Sequence, residues 1–252
     1  MNKKKLQQGI FVVPSLFTLT NLFFGFLSLL LTYHGRYRMA AFWIVIAAIM
    51  DGMDGLVARA MKAPSDFGIE LDSLSDAVSF GVATSVLLYF WGMKLAGPSA
   101  LFFSFLFLTA GVLRLARYNI RTKSLPDRRF YQGLTVPSAA IFMGSLVLFH
   151  PAPLETRELA IGLAVLTFGV SICMVSTFPY RNYTKVLQAH RIDILTALLM
   201  AVSLAALIFY PRFAILFFTG LNVLSGPVTA VSRALKKSPK KEKRTATKEI
   251  PS

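Results

Sequence analysis

An all-α, polytopic membrane helix bundle follows from this sequence on three counts. Hydrophobic residues fill 55% of its 252 positions, for a mean hydropathy of +0.59. Only 15% of residues are charged, against about 25% in soluble domains. The apolar residues also fall in runs of roughly 20, long enough to cross the hydrocarbon core as helices. Eight runs are predicted, at about 11–33, 39–61, 70–91, 96–117, 134–150, 157–178, 193–210 and 212–231.

The first run follows the basic Lys3-Lys4-Lys5 but is too long for a signal peptide and lacks a small-residue cleavage site. It is expected to remain as a span. A short linker, Ala63-Pro64-Ser65-Asp66-Phe67, turns the chain between the second and third runs. The fifth and seventh runs are short, and Tyr210-Pro211-Arg212 splits the last two. Beyond them lies KKSPKKEKR, polar and basic without apolar periodicity. The expected organisation is a basic N-terminus at 1–10, a membrane domain at 11–231 and a tail at 232–252. The tail reads as a disordered arm at an anionic inner leaflet. No internal repeat or second soluble domain is expected.

A net charge of +15 could suggest nucleic acid, but its placement excludes that reading. With the N-terminus inside and eight spans, 22 of the 27 lysines and arginines fall on the inner side. Outside remain Arg36, Arg38, Lys94, Arg157 and Arg212. This is the positive-inside bias, and it orients the chain in a cytoplasmic membrane with both termini and the linker at 63–67 inside. The lone Cys173 permits no intrachain disulfide. The three histidines, His34, His150 and His190, fall at span ends or in a loop.

The stretch DGMDGLVARAMKAPSDFGIELDSLSD, residues 51–76, breaks the apolar pattern. Asp51 and Asp54 are i, i+3 on the second helix, and Asp72 and Asp76 are i, i+4 on the third. Each pair shares a helix face, and the short linker lets the two faces meet. Four carboxylates would then converge near the inner end of the bundle. Carboxylates in a span are costly and usually functional, and a cluster repels itself. Hard divalent cations such as Mg²⁺, Mn²⁺ or Ca²⁺ resolve both problems. With no His or Cys in the stretch, zinc is disfavoured. Carboxylate-held metals also bind substrate phosphates. Gly55 and Ala58, on or near the aspartates' face, leave room for a ligand against the helix backbone.

Read as D-x2-D-G-x2-A-R-x8-G-x3-D-x3-D, the stretch matches at Asp51, Asp54, Gly55, Ala58, Arg59, Gly68, Asp72 and Asp76. It resembles the complete signature of the CDP-alcohol phosphatidyltransferase family. The resemblance implies a six-helix core, here followed by about two C-terminal helices, with an inward-facing cavity and a two-metal site for the pyrophosphate of a CDP-linked donor. It implies Asp51, Asp54 and Asp72 as metal ligands, and Asp76 as ligand and general base. Gly55, Ala58, Arg59 and Gly68 would contact the nucleotide and its phosphates. Ser65 is similar to a linker hydroxyl that some members use to touch the donor. A homodimer is implied by the same resemblance.

Four more stretches resemble the integral-membrane phosphatidylserine synthases within that family. The first span reads P-N-x2-T-x2-N-x3-G at Pro14, Thr18, Asn21 and Gly25, with Ser15 in place of Asn. Thr18 and Asn21 are thereby implied in donor binding. The stretch RLARYN (114–119) and QGLTVPSAA (132–140) are similar too, although Thr135 stands where Pro is more usual. So is MVSTFPYRNYTK (174–185). The implied reaction joins CDP-diacylglycerol and L-serine to give phosphatidylserine and CMP. Serine's carboxylate needs a cationic partner, and Arg114, Arg117 and Arg121, with Asn119, offer one at helical spacing. The same arginines suit a lipid phosphate or a phosphorylated acceptor, so glycerol phosphate and inositol phosphate stay open as acceptors. An ion transporter lined by carboxylates is the rival of another class. It gives no reason for the R-x8-G spacing or for the Gly55/Ala58 pair.

Overall fold

The computed structural model describes residues 3–60, 66–124, 130–181 and 209–237. Seven helices fill them: α1 (Lys3–Tyr33), α2 (Tyr37–Ala60), α3 (Asp66–Trp91), α4 (Ser99–Ser124), α5 (Val136–Phe149), α6 (Arg157–Val175) and α7 (Pro211–Lys237). All but α5 are long and apolar enough to cross a membrane. The protein is therefore a polytopic helical membrane protein. Residues 61–65, most of the run expected at 193–210 and the tail from 238 on lie outside the described residues, while 232–237 of the tail continue α7 and Asp66 and Phe67 of the linker begin α3.

Helices α1 and α2 form a hairpin around Gly35, whose φ of 71° suits a residue without Cβ. The small residues Ala40, Ala41 and Ala47, with Ile44, give α2 a fully buried face. Small side chains let helix backbones approach where no hydrophobic force acts between them. The opposite faces, with Phe23, Phe26 and Leu30 on α1 and Phe42 and Ile49 on α2, are exposed and suited to lipid.

The third span is not one regular helix. An α-helical start, Asp66–Asp76, passes into a π-helical turn, Ala77–Val82, and returns to α-helix at Ala83–Trp91. Such turns occur often at functional sites because they re-aim the side chains beside them. Here the π turn begins directly after Asp76. It also brings Ser79 against α1, where a Cβ on Gly25 would collide with both its backbone and side chain.

The fifth predicted span is shorter than expected. At 14 residues, α5 is about 21 Å long. It starts late because Thr135 is extended and acts as its N-cap, accepting from the Ser138 amide at 3.3 Å, with Pro137 in the first turn. Thr135, the residue that departs from the usual pattern, therefore has a local task. Val136, Ala139, Ala140, Met143 and Val147 are fully buried, so α5 belongs to the core.

Two contacts knit the carboxylate end together. Strand β1 (Phe130–Gln132) pairs antiparallel with β2 (Pro179–Arg181), Tyr131 opposite Tyr180. Arg117 of α4 donates to the carbonyls of Val175 (2.6 Å), Ser176 (3.1 Å) and Met174 (3.4 Å), capping the end of α6. Arg117→Ala is expected to cost about 1.5 kcal/mol of stability, seen as a lower midpoint of thermal unfolding in detergent. An unchanged midpoint would show that this helix end needs no side-chain cap.

Helix α7 is held by Tyr180. Pro227 has no N–H for the Val223 carbonyl one turn earlier. The Tyr180 hydroxyl donates to that carbonyl at 3.1 Å, and Gly226 leaves room for the ring. Burial pushes the phenol above its usual range, so it stays protonated as the donor.

Candidate active site

The site is built where α2 ends and α3 begins. Asp51 comes from α2, Asp72 and Asp76 from α3, and an oxygen from each lies within 4.8 Å of the others. The Asp51 carboxylate therefore faces both Asp72 and Asp76 across the α2–α3 junction. Three carboxylates at such range are stable only with protons or a cation between them.

Asp54 takes a different place. It is buried beside the cluster but outside the three-oxygen group, and it accepts from Thr18 Oγ1 of α1 at 2.9 Å. Its charge still acts on Asp51 and Asp72. Asp76, equally buried, accepts from Asn21 Nδ2 at 3.1 Å. Of the four carboxylates expected to converge, Asp51, Asp72 and Asp76 bring an oxygen each within 4.8 Å of one another, and Asp54 lies beside them, hydrogen-bonded to Thr18.

The donor set suits a hard divalent cation. Asp72 Oδ1 and Asn21 Oδ1 are buried without a hydrogen-bond partner among the described residues, and buried acceptors of this kind are normally satisfied by something. The ligating atoms are all oxygen, which matches Mg²⁺, Mn²⁺ or Ca²⁺. His34 and His150 are exposed, and Cys173 is half-buried on α6. None of them belongs to this group.

The three arginines of α4 separate. Arg114, only 7% exposed, lies 5.3 Å from the Tyr118 ring centroid, and its charge acts on Asp51. Among the described residues it is the buried cation that acts on the cluster. Arg117, expected with Arg114 in acceptor or lipid-phosphate binding, donates to the carbonyls at the end of α6. The Arg121 side chain lies outside the described residues, as do those of Ala58 and Arg59 and all of Ser65. Gly55 and Gly68 are half-buried on α2 and α3.

Asn119 donates to Ser73 Oγ at 2.9 Å and to Glu70 Oε2 at 3.4 Å, tying α4 to the start of α3. Neither Ser73 nor Glu70 was singled out from the sequence. The available signal was their spacing, i and i+3, on the helix that carries Asp72 and Asp76. Ser79 was missed as well. Its hydroxyl donates to the Asn21 carbonyl at 3.0 Å, and only the π turn places it there.

Comparison with known proteins follows the same lines. The model of the CDP-alcohol phosphatidyltransferase family matches residues 11–232. The chain is 34% identical over 221 residues to a Helicobacter pylori protein named CDP-diacylglycerol–serine O-phosphatidyltransferase, covering 86% of this chain and 90% of that one. It is 31% identical over 173 residues to a Bacillus subtilis protein of the same name, covering 69% and 92%. An archaetidylserine synthase of Methanothermobacter thermautotrophicus is 33% identical over 190 residues, covering 71% and 73%. With acidic residues on two adjoining spans brought to one spot, and a family match across most of its length, this chain belongs to the CDP-alcohol phosphatidyltransferase family.

Proposed function

We propose that this protein transfers the phosphatidyl group of CDP-diacylglycerol to the hydroxyl of L-serine, forming phosphatidylserine and CMP. The observation that carries the reading is the convergence of Asp51, Asp72 and Asp76, with the charge of a buried arginine, Arg114, acting on Asp51. The names of the bacterial relatives support serine as acceptor. The archaeal relative's name supports the same amino acid with a different lipid.

Asp51, Asp72 and Asp76, with Asp54 beside them, would hold Mg²⁺ or Mn²⁺; Ca²⁺ could occupy the same oxygens. When bound, the cation supplies charge stabilisation for the pyrophosphate and the departing CMP. Asp76 takes the proton from the serine hydroxyl. The serine oxygen bonds to the β-phosphorus, which bears diacylglycerol, and the bond from that phosphorus to the bridging oxygen breaks. CMP leaves with those electrons, so no covalent enzyme intermediate is needed. Arg114 pairs with the serine carboxylate. Gly55, Ala58, Arg59, Gly68 and Ser65 border the nucleotide, as the family resemblance implies. The acyl chains stay in the bilayer throughout. The positive-inside charge distribution supports a site that opens to the cytoplasm, where serine is available.

CMP release by the purified protein, measured against serine, glycerol phosphate and inositol phosphate, tests the acceptor. Serine should be the one substrate that sustains turnover. Arg114→Ala should raise the apparent KM for serine roughly ten- to a hundredfold and leave that for CDP-diacylglycerol near its original value. Turnover with glycerol phosphate or inositol phosphate in place of serine would overturn the acceptor assignment. A shift in the donor KM alone would assign Arg114 to the lipid phosphate.

A further inference from the structure

Helix α1 supplies none of the clustered carboxylates, yet it supplies the donors that hold two of the four aspartates. Thr18 Oγ1 reaches Asp54 Oδ2 at 2.9 Å, and Asn21 Nδ2 reaches Asp76 Oδ1 at 3.1 Å. All four side chains are buried. Thr18 and Asn21 are i, i+3, so one face of α1 presents both donors.

That face is itself fixed. The Asn21 carbonyl accepts from Ser79 Oγ at 3.0 Å. Gly25, one turn on, lets α1 lie against Ser79 at a distance that any Cβ would prevent. The two donors are therefore registered to α3 through backbone contact, independently of their own rotamers. An unrestrained aspartate samples several χ angles, and a divalent cation accepts only a narrow range of oxygen positions. Groups that hydrogen-bond to ligating side chains fix their orientation.

We propose that Thr18 and Asn21 are positioning residues of the cation site: α1 aims Asp54 and Asp76, and so sets the affinity for a divalent ion before any nucleotide arrives. This departs from the donor-binding role that the family resemblance implies for the same two residues. It rests on the cation reading of the site given under Proposed function. Asn21 Oδ1, buried and without a partner among the described residues, leaves one acceptor for a water or substrate donor in the site.

The test is a Mn²⁺ titration of the purified full chain in nanodiscs, followed by electron paramagnetic resonance without nucleotide. Asn21→Ala and Thr18→Val should each raise the Mn²⁺ Kd about ten- to a hundredfold. Thr18→Ser, which keeps the hydroxyl, should stay close to the parent protein. At saturating Mn²⁺, both weakened variants should bind CDP-diacylglycerol within about threefold of the parent. Unchanged Mn²⁺ affinity with weaker donor binding would overturn the proposal and return both residues to the donor site. If Asn21→Ala fails to fold, the contrast between Thr18→Val and Thr18→Ser decides alone, and equal Mn²⁺ affinities there overturn the proposal. If the parent protein itself binds no Mn²⁺, the cation reading fails and this inference falls with it.

Discussion

Replacing Asp72 by asparagine should lower CMP release by roughly a hundredfold or more, the scale of losing charge stabilisation at a metal-assisted centre. The substitution keeps the side chain's size but removes the negative charge and turns one acceptor oxygen into an amide donor. Asp72 is well placed to show that loss, because its carboxylate belongs to the three-carboxylate group and its Oδ1 is buried without a hydrogen-bond partner among the described residues. Asp51→Asn should behave alike, since an Asp51 oxygen lies within 4.8 Å of an oxygen from each of the other two carboxylates. It should also lose binding of CDP-diacylglycerol, measured on the purified variant in nanodiscs with Mn²⁺ present. Exhaustive chelation of the parent protein should mimic both variants, and added Mn²⁺ or Mg²⁺ should reverse it. Full turnover after chelation, or a near-normal rate in either variant, would remove the carboxylate cluster from the mechanism.

The second large effect separates proton transfer from ligation. Asp76→Asn should lose most turnover yet still bind CDP-diacylglycerol in the presence of Mn²⁺, because Asp51 and Asp72 remain together and Asp54 keeps its partner on α1. Asparagine at 76 cannot accept the serine proton. Rate and donor affinity measured on the same preparation distinguish the outcomes. A variant that binds no donor would make Asp76 chiefly a structural ligand, with the base elsewhere. A variant with a normal serine turnover would refute the base assignment outright.

Much of this protein was legible in one dimension, for a physical reason. A bilayer spreads the transfer energy of each span over about 20 consecutive residues, so composition alone marks helices such as α4 and α6. The eight signature positions from Asp51 to Asp76 lie within 26 consecutive residues. Helix periodicity then puts each aspartate pair on one face without reference to the rest of the chain. The helical fold, the family and the identity of the acidic stretch were therefore all sequence-determined.

The tertiary structure decided what depends on contacts between helices far apart in sequence. Asp54 and Asp51 carry the same charge at neighbouring positions, yet only Asp51 joins Asp72 and Asp76. Thr18, 36 residues away, sets Asp54 apart. Arg114 and Arg117 share a helix one turn apart, but Arg114 lies beside Asp51 while Arg117 caps α6. Positive-inside bias treats the two alike, because it records charge and not direction. The π turn after Asp76 and the Tyr180 bond to the carbonyl freed by Pro227 also escape local periodicity. Each exists because a neighbouring element supplies the missing contact: Gly25 of α1 against Ser79, and Gly226 of α7 around the Tyr180 ring. Spacing along the chain determined which residues could meet, and close approach at two glycines, of Ser79 to Gly25 and of the Tyr180 ring to Gly226, fixed two of the contacts that formed.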